Sequence, residues 1–216
     1  YSDISRKTKM LAVGAVIFAT IGLFAVPQIR ERFAIEFQTA TTDNTANDEM
    51  TGVRNISVRQ AWENETFTQN DYFPGTAFRV YQFRIFLEMM HEDKAWFTGY
   101  GLNASYAKIE KKTLSYGLFS GDGEKKGYQP KNFHNQYIQN FAELGFFGFL
   151  LLVVLLAVNL KNGIKSKDFV HISFAVLMIS LFLTESFLWR QRGVTFFTMM
   201  YCLLNAGMRL EKNKKI

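Results

Sequence analysis

Cysteine is almost missing from this chain. Cys202 stands alone among 216 residues, inside an apolar run, so no internal disulfide holds the fold. Histidine is scarce too: His91, His134 and His171 fall in three separate regions, which argues against a zinc site, and no metal is expected. No glycine-rich loop followed by Lys-Ser/Thr is present, so nucleotide binding has no support. No Gly-x-Ser-x-Gly elbow offers a hydrolase nucleophile, and there is no internal repeat. The chain begins at Tyr1 rather than Met, and its first apolar run lacks the small-residue cleavage site that ends a signal peptide. The expectation is the C-terminal part of a longer protein.

Charge is missing in places as well. Residues 10–26 and 144–160 are two 17-residue stretches without a charge; 169–184 is 16 residues with His171 as its only ionisable group, and 193–208 is another 16. A spanning helix needs roughly 17–25 mostly apolar residues, so all four sit at the short end, the last most of all. None alternates apolar with polar residues as a strand would, and a lipid core leaves helices as the way to satisfy the backbone. The chain is therefore expected to be an all-α membrane protein. About four transmembrane helices (10–27, 133–160, 169–188, 193–208) flank a large, mostly helical outer loop domain over 28–132.

Lysine and arginine set the orientation. Arg6, Lys7 and Lys9 in the tail over 1–9, Lys161, Lys165 and Lys167 in the connector over 161–168, and Arg209, Lys212, Lys214 and Lys215 in the tail over 209–216 fall on one side, the cytoplasm. Residues 28–138 carry 13 Lys+Arg against 14 Asp+Glu, while the rest of the chain is +7. The basic balance thus reports topology, not nucleic-acid binding. Arg190 and Arg192, in the outer turn over 189–192, break the pattern.

Within the outer loop, "DNTANDEMT" (43–51) reads as a polar, mobile stretch. "AFRVYQFRIFLEMM" (77–90) has no Gly or Pro and reads as a helix on the membrane surface or on the spans, with Arg79 and Arg84 as its polar contacts. Five positions apart, those arginines point about 140° from each other. "TGYGLN" (98–103) is a Gly-x-Gly turn.

The polar stretch "FHNQYIQNFAELGFFGF" (133–149) leads straight into an apolar helix. At helical spacing Gly145 and Gly148 lie about +20° and −40° from His134, one stripe against which another helix packs closely. His134 then stands at a protein-lined, water-accessible mouth, either as a working group or as an interfacial histidine satisfied by a carbonyl. Glu143 is either a functional intramembrane carboxylate or a charge favoured by the helix N-terminus. Glu185, Arg190 and Arg192 form either an internal ion pair or an anion site, since guanidinium forks match phosphate. Arg79 and Arg84 pair with Glu88 or Glu92, or bind phosphate likewise.

His134-Asn135, nine residues, Gly145, two residues, Gly148: this pattern resembles the signature of the bacterial O-antigen ligase family. The preceding order of features, Arg79 in an aromatic-rich helix and then the Gly99–Gly101 turn, is similar, as is "TESFLWRQRGVTFF" (184–197) to the family's closing spans. The resemblance implies a multi-pass protein of the bacterial inner membrane that moves a glycan from undecaprenyl diphosphate to a lipid A-core hydroxyl at the periplasmic face. It implies no metal and no cofactor, and upstream transmembrane helices of the same protein as partners. In that reading His134 is the base or acceptor-positioning group; Arg79, Arg84, Arg190 and Arg192 bind the donor diphosphate; Asn135, Glu143, Gly145, Gly148 and Glu185 support them. An O-antigen polymerase, a protein O-oligosaccharyltransferase and a non-catalytic polytopic membrane protein are the alternatives.

Overall fold

A computed structural model describes residues 25–43, 45–48, 52–129 and 131–213, together with Met10, Gly14, Phe18 and Gly22. The tail expected over 1–9 lies outside the described residues, and most of the span expected over 10–27 lies outside them. The described residues are mostly helical and fall into two compact units, Tyr1–Asn64 with Asn70–Val80 and Glu65–Gln69 with Tyr81–Ile216.

In the first unit, helix α1 (Pro27–Thr41) begins with proline in its first turn, where the missing N–H has no helical partner to lose. Its Glu36 carboxylate accepts hydrogen bonds from the backbone N–H groups of Gly75 (2.7 Å) and Thr76 (3.0 Å). Those donors open helix α3 (Gly75–Glu92) and have no partner within it. Burial pushes the Glu36 carboxyl up, but the bonds from Thr76 and Gly75 and the charge of Arg79 outweigh it and hold it below its ordinary value. Helix α2 (Val58–Glu63) starts with a reciprocal capping box between Ser57 and Gln60.

This unit also corrects the all-α expectation. Strands β1 (Thr45–Asp48), β2 (Val53–Asn55) and β3 (Asp71–Tyr72) form a small sheet, antiparallel between β1 and β2 and parallel between β2 and β3. The polar stretch over 43–51, expected to be mobile, thus carries a strand. Gly52, at φ +67°, enables the tight return. These strands have four, three and two residues, too short to show an alternating pattern.

The second unit holds the rest of α3, helix α4 (Ser105–Ser115), helix α5 (Gln136–Ser166), helix α6 (Phe169–Thr184), a 3₁₀ turn (Phe187–Trp189) and helix α7 (Gln191–Asn213). Tyr81, Ile85, Phe86, Met89 and Met90 of α3 are buried with Ile109, Leu118 and Phe133. Phe86 sets its ring edge-to-face against Trp96, Phe133 and Phe141 at 5.7–6.2 Å. A second core joins Leu152 and Leu156 of α5, Phe174, Met178 and Phe182 of α6, and Phe197 of α7. Beside it, Asn159 accepts from Asn205 (3.1 Å) and meets His171 (2.9 Å), and Asn162 donates to Asn205 (2.7 Å), a polar link among all three helices that is buried at Asn159 and His171 and half-buried at Asn162 and Asn205. Gly163 makes room: a Cβ there would stand 3.1–3.3 Å from the backbone of Ile172 and from His171.

Among the described residues α5 is the one helix long and apolar enough to cross a membrane. The 16 residues of α6 are apolar but shorter. Leu151, Leu177 and Leu203, one on each helix, are more than half exposed, a large apolar surface of the kind that meets lipid or protein.

Candidate active site

The polar stretch over 133–149 does not form one straight helix. His134 precedes α5 and has left-handed backbone (φ +47°), and Gly145 interrupts the helix at φ +67°, ψ −166°, a region that only glycine occupies readily. The expected stripe of His134, Gly145 and Gly148 therefore does not exist, because the even 100° step on which it rests fails at both places. The glycines serve the kink instead. A Cβ on Gly145 would stand 2.2 Å from the Phe97 carbonyl oxygen, and one on Gly148 would stand 2.1 Å from the Leu144 Cβ. Gly145 thus clears a loop rather than another helix, and Gly148 clears the turn before the kink. Asn140 donates to the Gly148 carbonyl across the break (3.0 Å).

Into this break docks the Gly-x-Gly turn. Tyr100 N donates to Ala142 O (2.9 Å), Gly101 N to Glu143 O (2.8 Å) and Phe146 N to Trp96 O (2.9 Å). Carbonyls and an N–H that the kink takes out of the helical ladder are paired by the turn. Gly99 is as tightly placed as Gly145: its Cβ would lie 2.4 Å from Glu143 O, and its φ is +66°. Glu143 itself is buried. Its Oε1 accepts from Asn103 N (3.1 Å), Ser105 Oγ (3.1 Å) and Gln139 Nε2 (3.0 Å). Gln139 passes this network on, its Oε1 accepting from Phe133 N at 3.4 Å.

His134 is held from both flanks. Its N–H donates to Asn132 Oδ1 (3.0 Å), and the buried ring of Phe133 anchors the residue before it. Asn135 caps α5, its side chain accepting from Ile138 N (3.0 Å) while its amide donates to Leu183 O (3.0 Å). Asn135 N also donates to Ser186 Oγ (3.3 Å), and Leu188 N donates to Gln136 Oε1 (2.6 Å). The amides at the start of α5 thus stitch the turn after α6 onto the histidine. Their presence was visible in the sequence; Ser186 gave no signal there.

That stitching brings His134 Nδ1 to 3.7 Å from Glu185 Oε2, with the histidine side chain about one third exposed. Glu185, Ser186, Phe187, Arg190, Arg192 and Gly193 line an open cleft of about 380 Å³. Gly193 is packed so that a Cβ would stand 2.0 Å from Phe187 O, which fixes the start of α7 against the 3₁₀ turn. Among the described residues, neither Arg190 nor Arg192 pairs with a carboxylate, and both are exposed.

Arg84 is placed differently. Its Nε donates to Glu88 Oε1 (2.9 Å), Nη2 donates to Tyr116 Oη (3.0 Å), and its guanidinium lies 4.9 Å from the Tyr116 ring centroid. Lys112 Nζ is 3.4 Å from the same Glu88. Burial pushes the Glu88 carboxyl up, but bonds from Tyr116 and Arg84 and the charges of Arg84 and Lys112 hold it below its ordinary value. Arg79 lies exposed in the first unit. The candidate site thus brings His134, Glu185, Arg190 and Arg192 together in one unit; Asn135 ties the turn after α6 to the histidine, and Glu143, Gly145 and Gly148 belong to the kink of α5.

Among the described residues no three His, Cys, Asp or Glu side chains group to hold a metal ion. A comparison with curated proteins returned no significant match. A family model described as O-antigen ligase matches residues 3–153, about 70% of the chain, and takes in the docked turn, His134 and both kink glycines. This chain belongs to the O-antigen ligase family, whose members are bacterial membrane proteins.

Proposed function

We propose that this chain forms the catalytic portion of a membrane glycosyltransferase that transfers a glycan from undecaprenyl diphosphate to a sugar hydroxyl of the lipid A core, at the periplasmic face of the inner membrane. The observation that carries the reading is the approach of His134 to Glu185 at the edge of a cleft bearing two arginines that pair with no carboxylate among the described residues. The acceptor oxygen attacks the anomeric carbon of the donor glycan and a new C–O bond forms. The bond from that carbon to the diphosphate oxygen breaks, and its electron pair leaves with undecaprenyl diphosphate. The acceptor's proton passes to the imidazole of His134. Glu185, 3.7 Å from Nδ1, stabilises the resulting imidazolium. Arg190 and Arg192 meet the charge developing on the diphosphate.

Arg79 and Arg84 stand as further donor contacts on the strength of the family resemblance. At Arg84 a diphosphate would compete with Glu88 and Tyr116. Periplasmic placement of 28–132 and four spans, the first over 10–27, belong to the same reading. The test is a strain lacking the protein, complemented with the full-length wild type or His134→Ala, with lipopolysaccharide resolved by electrophoresis. The proposal expects unattached lipid-linked polymer in the His134→Ala strain. Single-repeat caps on lipid A would instead identify a polymerase, and intact lipopolysaccharide with unglycosylated protein an O-oligosaccharyltransferase.

A further inference from the structure

The charged outer segment contains one long interruption. Residues 95–107, "AWFTGYGLNASYA", hold no Asp, Glu, Lys or Arg, while Asp93, Lys94 and Lys108 close around them. This is the segment that docks its Gly-x-Gly turn into the kink of α5. Ala95 and Trp96 turn inward, but two of its apolar side chains do not: Phe97 is 67% exposed and Leu102 76%. Phe97 lies beside the first exposed rings of α5 beyond the kink, with centroids 6.4 Å from both Phe146 and Phe147. Phe147 is 66% exposed and Leu151, one turn on, 60%. The apolar surface therefore runs without a charge from the loop onto the outward face of α5.

From Phe146 onward, α5 has the length for a span. The 21 residues of 146–166 at about 1.5 Å each give roughly 31 Å, close to the hydrocarbon thickness of a bilayer; Lys161 and Lys165 fall in its last turns, where their long stems reach the far headgroup level. Phe97 and Leu102 thus lie at the level where that thickness begins. Tyr100 accompanies them, one of the aromatic types that settle at the boundary between lipid and water. Tyr100 turns its hydroxyl to Asp93 (2.9 Å), and Lys108 reaches the same carboxylate (2.8 Å), so the polar ends of the segment gather on one side.

We propose that the loop over 96–102 is a membrane anchor: Phe97 and Leu102 insert into the acyl-chain border of the outer leaflet, continuous with the lipid-facing side of α5. The inference rests on the reading that α5 crosses the bilayer. Its consequence is mechanical. The Phe97 carbonyl bears on Gly145, so lipid that holds the loop also holds the kink. The network from Glu143 through Gln139 to Phe133 then fixes the depth of His134 relative to the lipid surface. A diphosphate on a polyprenyl chain sits at that surface, so the anchor sets the level at which base and substrate meet.

The test uses nitroxide labels on the full-length protein with serine in place of Cys202 and of any cysteine outside these 216 residues, reconstituted in vesicles of phosphatidylethanolamine and phosphatidylglycerol. Labels are placed singly at Phe97→Cys, Leu102→Cys, Phe147→Cys as the α5 reference and Glu124→Cys as the aqueous reference. Collision with oxygen is compared with collision with a water-soluble nickel chelate. The proposal expects oxygen-to-nickel ratios at 97 and 102 within about twofold of that at 147 and several-fold above that at 124. Ratios at 97 and 102 equal to that at 124, with 147 still in lipid, would overturn the anchor alone. An aqueous ratio at 147 would overturn the crossing of α5 and the anchor with it. All four positions are exposed, so labelling leaves the cores intact.

Discussion

At the scale of single residues, the arginines separate by their company. Arg84 is spent on Glu88 and Tyr116, whereas Arg190 and Arg192 face an open cleft. Replacing both cleft arginines with alanine should raise the donor KM about tenfold or more, and lysine should restore only part of it, because an ammonium lacks the fork that grips a phosphate. Donor titrations with purified variants check this; an unchanged KM removes the pair from the site. Glu88 has a separate, structural signature. Its folded-state pKa lies below the ordinary 4.5, so its contribution to stability is present above that value and is lost as pH falls through the lowered one. Melting curves of Glu88→Gln should therefore differ from wild type at pH 7, and the difference should shrink as pH falls below the ordinary carboxylate value. The residue types at the lip were legible in the sequence. Their partners were not, since the contacts of Asn135 with Leu183 and of Gln136 with Leu188 join positions about 50 apart, and nothing in a local pattern announces such a pairing.

At the scale of elements, the kink is the feature that periodicity misread. Helical spacing assumes one dihedral pair throughout, and Gly145 abandons it. The two motifs read separately, Gly-x-Gly and the histidine with its glycines, are halves of one backbone joint. Gly99→Ala and Gly145→Ala should each destabilise the protein by about 3 kcal/mol, from an impossible Cβ–carbonyl contact added to left-handed strain. Gly123→Ala, also at positive φ but with open space around it, should cost about 1 kcal/mol. Thermal unfolding in detergent compares the three, and equal losses would mean that strain alone, not the interlock, matters. The apolar run over 169–184 coincides with α6, and 77–90 lies within α3, but the helix expected to reach 188 stops at Thr184, where Glu185 turns extended ahead of the 3₁₀ turn. The small sheet escaped because its strands are too short to carry a pattern.

At the scale of the whole molecule, charge asymmetry and apolar length point to a membrane protein, and the family match agrees. The assignment of sides is testable without chemistry. In intact cells of a strain expressing full-length protein with serine in place of Cys202 and of any cysteine outside these 216 residues, a membrane-impermeant maleimide should label Glu124→Cys in the outer loop and leave Lys165→Cys in the connector unlabelled until the membrane is opened. The reverse pattern would invert the topology. The central claim remains that His134 takes the acceptor's proton while the neighbouring arginines hold the donor. The most direct measurement is steady-state transfer from undecaprenyl diphosphate-linked glycan to lipid A-core by full-length protein in vesicles, wild type against His134→Ala. The account predicts a fall in kcat of about 100-fold or more with donor KM nearly unchanged. A variant that keeps the wild-type kcat would contradict it.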